Sequence, residues 1–171
     1  FDAGKQHPVP FLLGSNADEG TMFLANLPVQ RPLGYRLLLR QWFGGHADEI
    51  AKLFPADAPE DVKPALNKLT TVTAFAAPAR AIARSMAKVN TKAFLYHFTR
   101  VPPTISGKLL GAHHGLEIPY VFDNLRVGAG WTETDRALAR TMSAYWVKFA
   151  TTGDPNRDGL PPLPNFTKAP R

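Results

Sequence analysis

Two acidic residues, Asp18 and Glu19, stand between glycines in the segment GSNADEG (residues 14–20), directly after the apolar run VPFLLG. Two histidines, His113 and His114, stand in GAHHGLEIPYVF, and Glu117 follows shortly after them. Glu19 precedes His114 by 95 residues. A carboxylate and an imidazole together can do what neither does alone. The carboxylate holds one ring nitrogen, fixes the tautomer and stabilises the imidazolium. The other nitrogen can then take the proton of a weak nucleophile such as a serine hydroxyl. Glutamate can replace aspartate where the backbone sits further back. Nucleophile, acid, histidine is one of the orders in which such triads run along a chain, and an acid followed by a histidine is its second half.

A nucleophile does not present itself. The serines are Ser15, Ser85, Ser106 and Ser143, and none has glycine at both −2 and +2, so no G-x-S-x-G elbow is present. An HGGG-type oxyanion segment is also missing, and without cysteine there is no thiol. If the triad reading holds, nucleophile and oxyanion donors are expected upstream of Phe1. On the residues alone the acid–histidine pair is a modest signal, because a lone glutamate after a strand is more often a surface or capping residue. A rival reading takes His113, His114 and Glu117 as zinc ligands within one turn, with His113 and Glu117 at i, i+4. It lacks an H-E-x-x-H or related signature, so no metal site is expected.

The elements that must position these groups read as α/β. Residues 8–16, PVPFLLGSN, form a short apolar run of the kind that suits a strand buried on both faces of a parallel sheet. TMFLANL allows one or two helical turns. Residues 33–43 read as a helix stopped by Gly44 and Gly45, and HADEIAKLF as a short helix halted by Pro55. Residues 57–64, rich in Asp and Pro, are expected to be loop or cap, and ALNKLTTVTAFA resumes a helical pattern. Pro78 suits a first helical turn. After it Ile82, Met86 and Val89 share one face, while Arg80, Arg84 and Lys88 form a wet basic stripe on the other. KAFLYHF (92–98) is a second strand. A loop through Pro102, Pro103 and Gly107 is expected before the histidines. A long helix starts near Thr132 or Thr134, shows Leu138, Met142, Tyr145, Trp146 and Phe149 on one face, and ends at Gly153 and Pro155. The remainder, LPPLPNFTKAPR, reads as extended. Two strands are too few for a doubly wound sheet, so the chain reads as one end of a larger, mostly parallel sheet flanked by helices.

Composition narrows the classes. With 171 residues and 44% hydrophobic content the chain can bury a sizeable core. The net charge of +6 comes from scattered residues without a block of like charge, so no nucleic-acid partner is expected. No apolar run is long enough for a membrane span. The opening FDAGKQHPVP has neither the basic start nor the apolar stretch of a signal peptide, and a chain that begins this way is expected to be a fragment. Secreted, periplasmic and cytoplasmic locations all stay open.

VPFLLGSNADEGTMF resembles the acid-bearing segment of the type-B carboxylesterase family, which includes the cholinesterases. GAHHGLEIPYVF is similar to that family's histidine segment. FAAPARAIARSMA, KAFLYHFTR and ARTMSAYWVKFATTGDPN resemble further family segments in the same order, so the resemblance covers nearly the whole chain. It implies the C-terminal third of an α/β-hydrolase: residues 1–171 as part of one domain, with roughly 25–90 as a helical cap or insert. It implies a serine carboxylic ester hydrolase with no cofactor and a small-molecule ester as substrate. In the family the triad acid stands just before the second glycine and the catalytic histidine just before a small residue, which assigns Glu19 and His114 as catalytic. Glu117 matches a glutamate near the catalytic centre, expected to hold hydrogen bonds around His114. Met22 and Phe23 fall where family members line the substrate pocket. His113 departs from the pattern, being polar where cholinesterases tend to be apolar; it either alters the proton balance of the site or points to solvent. The N-terminal portion, on the same or a companion chain, is the expected partner, and the 171 residues alone are expected to be inactive. The alternative is a non-catalytic cholinesterase-like interaction domain or an inactive fragment.

Overall fold

The turn with Asp18 and Glu19 follows the first of two strands directly, and the turn with His113 and His114 follows the second after an intervening helix. In the computed structural model, which describes residues 3–166, β1 (Phe11–Asn16) and β2 (Ala93–Phe98) pair in parallel, in register from Phe11↔Ala93 to Asn16↔Phe98. Parallel neighbours need a long crossover, and helices supply it: α1 (Gly20–Leu24), α2 (Pro32–Phe43), α3 (Ala47–Leu53), α4 (Pro59–Thr70) and α5 (Ala77–Met86), with a π-helical stretch, Thr71–Ala76, joining α4 to α5. After β2 come α6 (Ile105–Leu110), α7 (Ile118–Val121) and α8 (Glu133–Thr152).

The period-two alternation of a strand sorts the residues of β2 between two helical layers. Ala93 and Leu95 pack with Ala83 and Met86 of α5, together with Phe11 and Leu13 of β1. Phe94, Tyr96 and Phe98 face the other way, towards Phe149, Trp146 and Met142 of α8. The strands approach closely at Gly14, where a Cβ would come 2.2 Å from the Tyr96 carbonyl oxygen. A third core, built on Tyr35, Leu39, Val62, Leu66 and Leu69, holds α2, α3 and α4 together. Within it the Tyr35 hydroxyl donates to the Phe54 carbonyl at 2.7 Å.

Three expectations change. Residues 57–64 are not loop throughout, because α4 begins at Pro59. Proline in the first turn is preorganised for a helix, and Asp61 accepts the Ala58 N–H at 3.0 Å, so the composition that suggested a loop is a helix start. The loop expected through Gly107 contains α6, whose Thr104 cap accepts the Gly107 N–H at 3.1 Å. Strand β1 is fully buried only at Ser15 and Asn16; Phe11 to Gly14 are half-buried, since among the described residues β1 has one strand neighbour. The long helix runs as expected from its Thr132 cap to Gly153, which takes a φ of 70°. The end of the Pro-rich tail, residues 167–171, lies outside the described residues. Among the described residues no helix is long and apolar enough to cross a membrane.

A buried carboxylate ties α8 to the end of β2. Asp135 is fully buried. One of its oxygens accepts from Arg100 Nε at 2.6 Å and from the Tyr120 hydroxyl at 2.8 Å; the other accepts from the Thr132 N–H and hydroxyl. Burial alone would raise its pKa, but the bonds from Arg100, Thr132 and Tyr120 outweigh that and hold the carboxyl well below the usual carboxylate range. Burial, and then the same carboxylate, push the Tyr120 hydroxyl up.

Candidate active site

Strand β1 stops at Asn16, and the chain turns through Ala17 and Asp18 before α1. Glu19 is the residue just ahead of that helix. Its carboxylate curls back on the strand end, where Oε1 accepts the Asn16 N–H at 2.6 Å. That bond leaves Oε2 aimed across the gap to the turn after α6. There His114 Nδ1 lies 2.7 Å from Oε2. Glu19 is 4% exposed, whereas the His114 side chain is 48% exposed. The pair is therefore a buried carboxylate under a half-open imidazole. In the tautomer with Nδ1–H donating to Glu19, Nε2 carries the free lone pair of a half-exposed ring, the arrangement a general base requires.

The histidine is presented by a tight turn. Gly115 follows with φ of 80°, the left-handed region that suits glycine. The Leu116 N–H donates to the His113 carbonyl and the Ile118 N–H to the Gly115 carbonyl. Asn16 braces this turn from β1: its Nδ2 donates to the His113 carbonyl at 2.8 Å and to the Glu117 carboxylate. Glu117 thus reaches the pair through Asn16, which also donates its N–H to Glu19. Glu117 and Glu19 raise the pKa of the nearby Tyr96 hydroxyl after burial, the larger cause, and together these push it to about 12.

Two phenyl rings flank the imidazole. Phe23 of α1 and Phe75 of the π-helical stretch stack on each other with centroids 6.0 Å apart, and their centroids lie 5.3 and 5.1 Å from the His114 ring. Phe23 is more than half exposed. Met22 stands exposed beside it on α1, while the ring contacts with His114 run through Phe23 and Phe75. His113 neither reaches the pair nor points to solvent: its Nδ1 lies 2.9 Å from the His114 carbonyl, and its Nε2 is buried. Among the described residues no group of three His, Cys, Asp or Glu side chains is placed to hold a metal ion. A groove of about 580 Å³ lies elsewhere, between the end of β2 and α8, lined by Tyr96, Phe98, Val101, Leu138, Met142 and Trp146.

Asp18 and Glu19 therefore part company. Glu19 meets His114, whereas Asp18 bonds Asn67 of α4 and the Ala112 N–H. Sequence reasoning missed Asn16, Asn67 and Phe75. Asn67 had one faint signal, a short polar side chain within the helical run that also holds Leu66 and Leu69. Phe75 had none, since a π-helical stretch shifts the face on which a residue falls and no regular period announces it.

The sequence matches the Carboxylesterase family over residues 2–171. It is 36% identical to the fumonisin B1 esterase of Sphingopyxis macrogoltabida, with 98% of this chain aligned to 32% of that protein. It is 29% identical to carboxylesterase 5A of Canis lupus familiaris over 66% of this chain and 21% of that protein. It is 28% identical to the cocaine esterase of Homo sapiens over 76% of this chain and 22% of that protein. The chain spans about a third or less of the length of these relatives.

Proposed function

The chain belongs to the carboxylesterase family, a family of α/β-hydrolase fold, and we propose that it supplies the acid and the histidine of a Ser–Glu–His triad that hydrolyses carboxylic esters, with the serine and the oxyanion donors in a portion of the polypeptide outside these residues. The observation that carries this reading is the 2.7 Å contact between Nδ1 of the half-exposed His114 and the buried Glu19. His114 Nε2 takes the serine proton as the oxygen attacks the ester carbonyl, then returns it to the leaving alcohol. Water repeats the cycle on the acyl-enzyme. Glu19 keeps Nδ1 protonated and stabilises the imidazolium between the two transfers. Glu117 acts through Asn16 to hold the carboxylate and the histidine turn in one frame. Phe23, Phe75 and Met22 line the substrate approach; the two rings shield the imidazole face from water.

In this reading residues 1–171 form the end of one α/β-hydrolase domain, and roughly 25–90 its helical cap. The edge of β1 away from β2 receives the rest of the sheet, because among the described residues β1 has one strand neighbour and a parallel strand needs one on each side. A fluorophosphonate ester tests the assignment in the complete polypeptide. Peptide mapping is expected to find the label on a serine outside residues 1–171, with labelling lost in His114→Ala. A label on Ser15, Ser85, Ser106 or Ser143, or undiminished labelling of His114→Ala, refutes it.

A further inference from the structure

The residue before Glu19 and the residue after it are both held by side-chain bonds that the acid–histidine chemistry does not use. Asp18 Oδ2 accepts the Ala112 N–H at 2.8 Å, and the Asp18 N–H donates to the Ala112 carbonyl at 3.0 Å. Ala112 lies two residues before His114. Asp18 Oδ1 accepts from Asn67 Nδ2 at 2.9 Å, and Asn67 Oδ1 accepts the Gly20 N–H at 3.0 Å. The chain of bonds runs from the histidine turn through Asp18 to α4, and from α4 back to the far side of Glu19. Glycines make room for it. Gly111 adopts φ of 69°, and a Cβ there would lie 2.2 Å from Asp18 Oδ2; a Cβ on Gly20 would lie 2.9 Å from Asn67 Cα.

We propose that Asp18 and Asn67 are positioning residues that clamp the glutamate turn to the histidine turn and so set the Glu19–His114 contact. This rests on the reading of that pair as catalytic. The clamp has a defined polarity. The Ala112 and Gly20 N–H groups are fixed donors, so each side chain must turn an oxygen to its own N–H and meet the other with whatever remains. An amide at both positions sets NH₂ against NH₂. A carboxylate at both sets oxygen against oxygen. Only one acid and one amide satisfy all three bonds, and the clamp closes with the two in either order.

The test follows from that symmetry. Asp18→Asn, Asn67→Asp and the double swap are made in the complete polypeptide and assayed on p-nitrophenyl butyrate, beside Glu19→Gln. A misplacement of about 1 Å costs up to roughly 10²-fold. Each single variant is expected to lose about 10- to 100-fold in kcat with KM within about threefold of wild type, and the swap to regain most of that loss. Singles within threefold of wild type in kcat, losses that fall on KM, or a swap as impaired as either single overturn the proposal. Glu19→Gln separates the two claims: if it keeps activity, the catalytic reading fails; if it is disabled while both singles are active, the clamp alone fails.

Discussion

Removing the Asp135 carboxylate tests the energetic keystone between β2 and α8. Four donors converge on it: Arg100 Nε, the Tyr120 hydroxyl, and the N–H and hydroxyl of Thr132. Asp135→Ala removes part of the α8 cap arrangement, worth about 1 kcal/mol. It also leaves the partly buried Arg100 and the buried Tyr120 hydroxyl without their acceptor, at about 1.5–3 kcal/mol for a bond to a charged group and about 1–3 for the orphaned hydroxyl. These contributions share one network and do not add in full, so the expected loss is about 3–5 kcal/mol at pH 7, the range for breaking one side of a buried pair. The effect also has a pH signature. The folded carboxyl is held well below the ordinary range, so near pH 4 the unfolded chain binds more protons than the fold does. The stabilisation is fully present above about pH 5 and drains away as pH falls through about 4 and towards the folded value. Urea unfolding at pH 7 and at pH 3.5, followed by tryptophan fluorescence, reads it, since Trp131 packs edge-on against Tyr120. The gap between wild type and Asp135→Ala should be smaller at the lower pH. A gap that is the same at both, or a loss under about 1 kcal/mol at pH 7, would show that the four bonds do not hold the helix as argued.

Two further outcomes follow. The Tyr96 phenol, pushed up to about 12 by burial and then by Glu117 and Glu19, should stay neutral in the fold while an unfolded tyrosine ionises near pH 10. The unfolded chain then binds fewer protons, so stability falls as pH rises between about 10 and 12; a difference titration at about 295 nm between wild type and Tyr96→Phe reads the phenolate, and a midpoint near 10 in the folded protein counts against the burial argument. Phe75→Ala should lower kcat/KM on p-nitrophenyl butyrate by a factor of roughly 2–10, in line with the loss of one aromatic contact; steady-state kinetics showing no change would detach Phe75 from the site.

What the sequence discloses depends on whether a property is local. Both strands were legible because apolar runs, the first closed by Gly14 and Asn16 and the second rich in aromatics, have local signatures, and α8 was legible because its Thr132 cap, its apolar face and Gly153 lie in one continuous stretch. The Asp135 network was not, since Arg100 and Tyr120 meet Asp135 from other elements. Short elements opened by Pro59 or Thr104 read as loops because polar caps and turns share a composition. At the site, the position beyond the first strand pointed to Glu19 as the partner of His114, and the resemblance to the carboxylesterases supplied the reason to set Asp18 aside. The structure sets Glu19 against His114 and gives Asp18 a different set of partners. That distinction turns on Asn67 and Ala112, which lie 49 and 94 residues from Asp18 and carry no mark of the contact in the sequence.

The most direct measurement is kcat/KM of His114→Ala against His113→Ala in the complete polypeptide on p-nitrophenyl butyrate. The two histidines are neighbours, yet it is His114, with its half-exposed side chain, that meets Glu19, whereas Nε2 of His113 is buried. His114→Ala is expected to lose on the order of 10⁴-fold or more, and His113→Ala much less. Comparable losses in both, or substantial activity left in His114→Ala, would contradict the catalytic reading of His114.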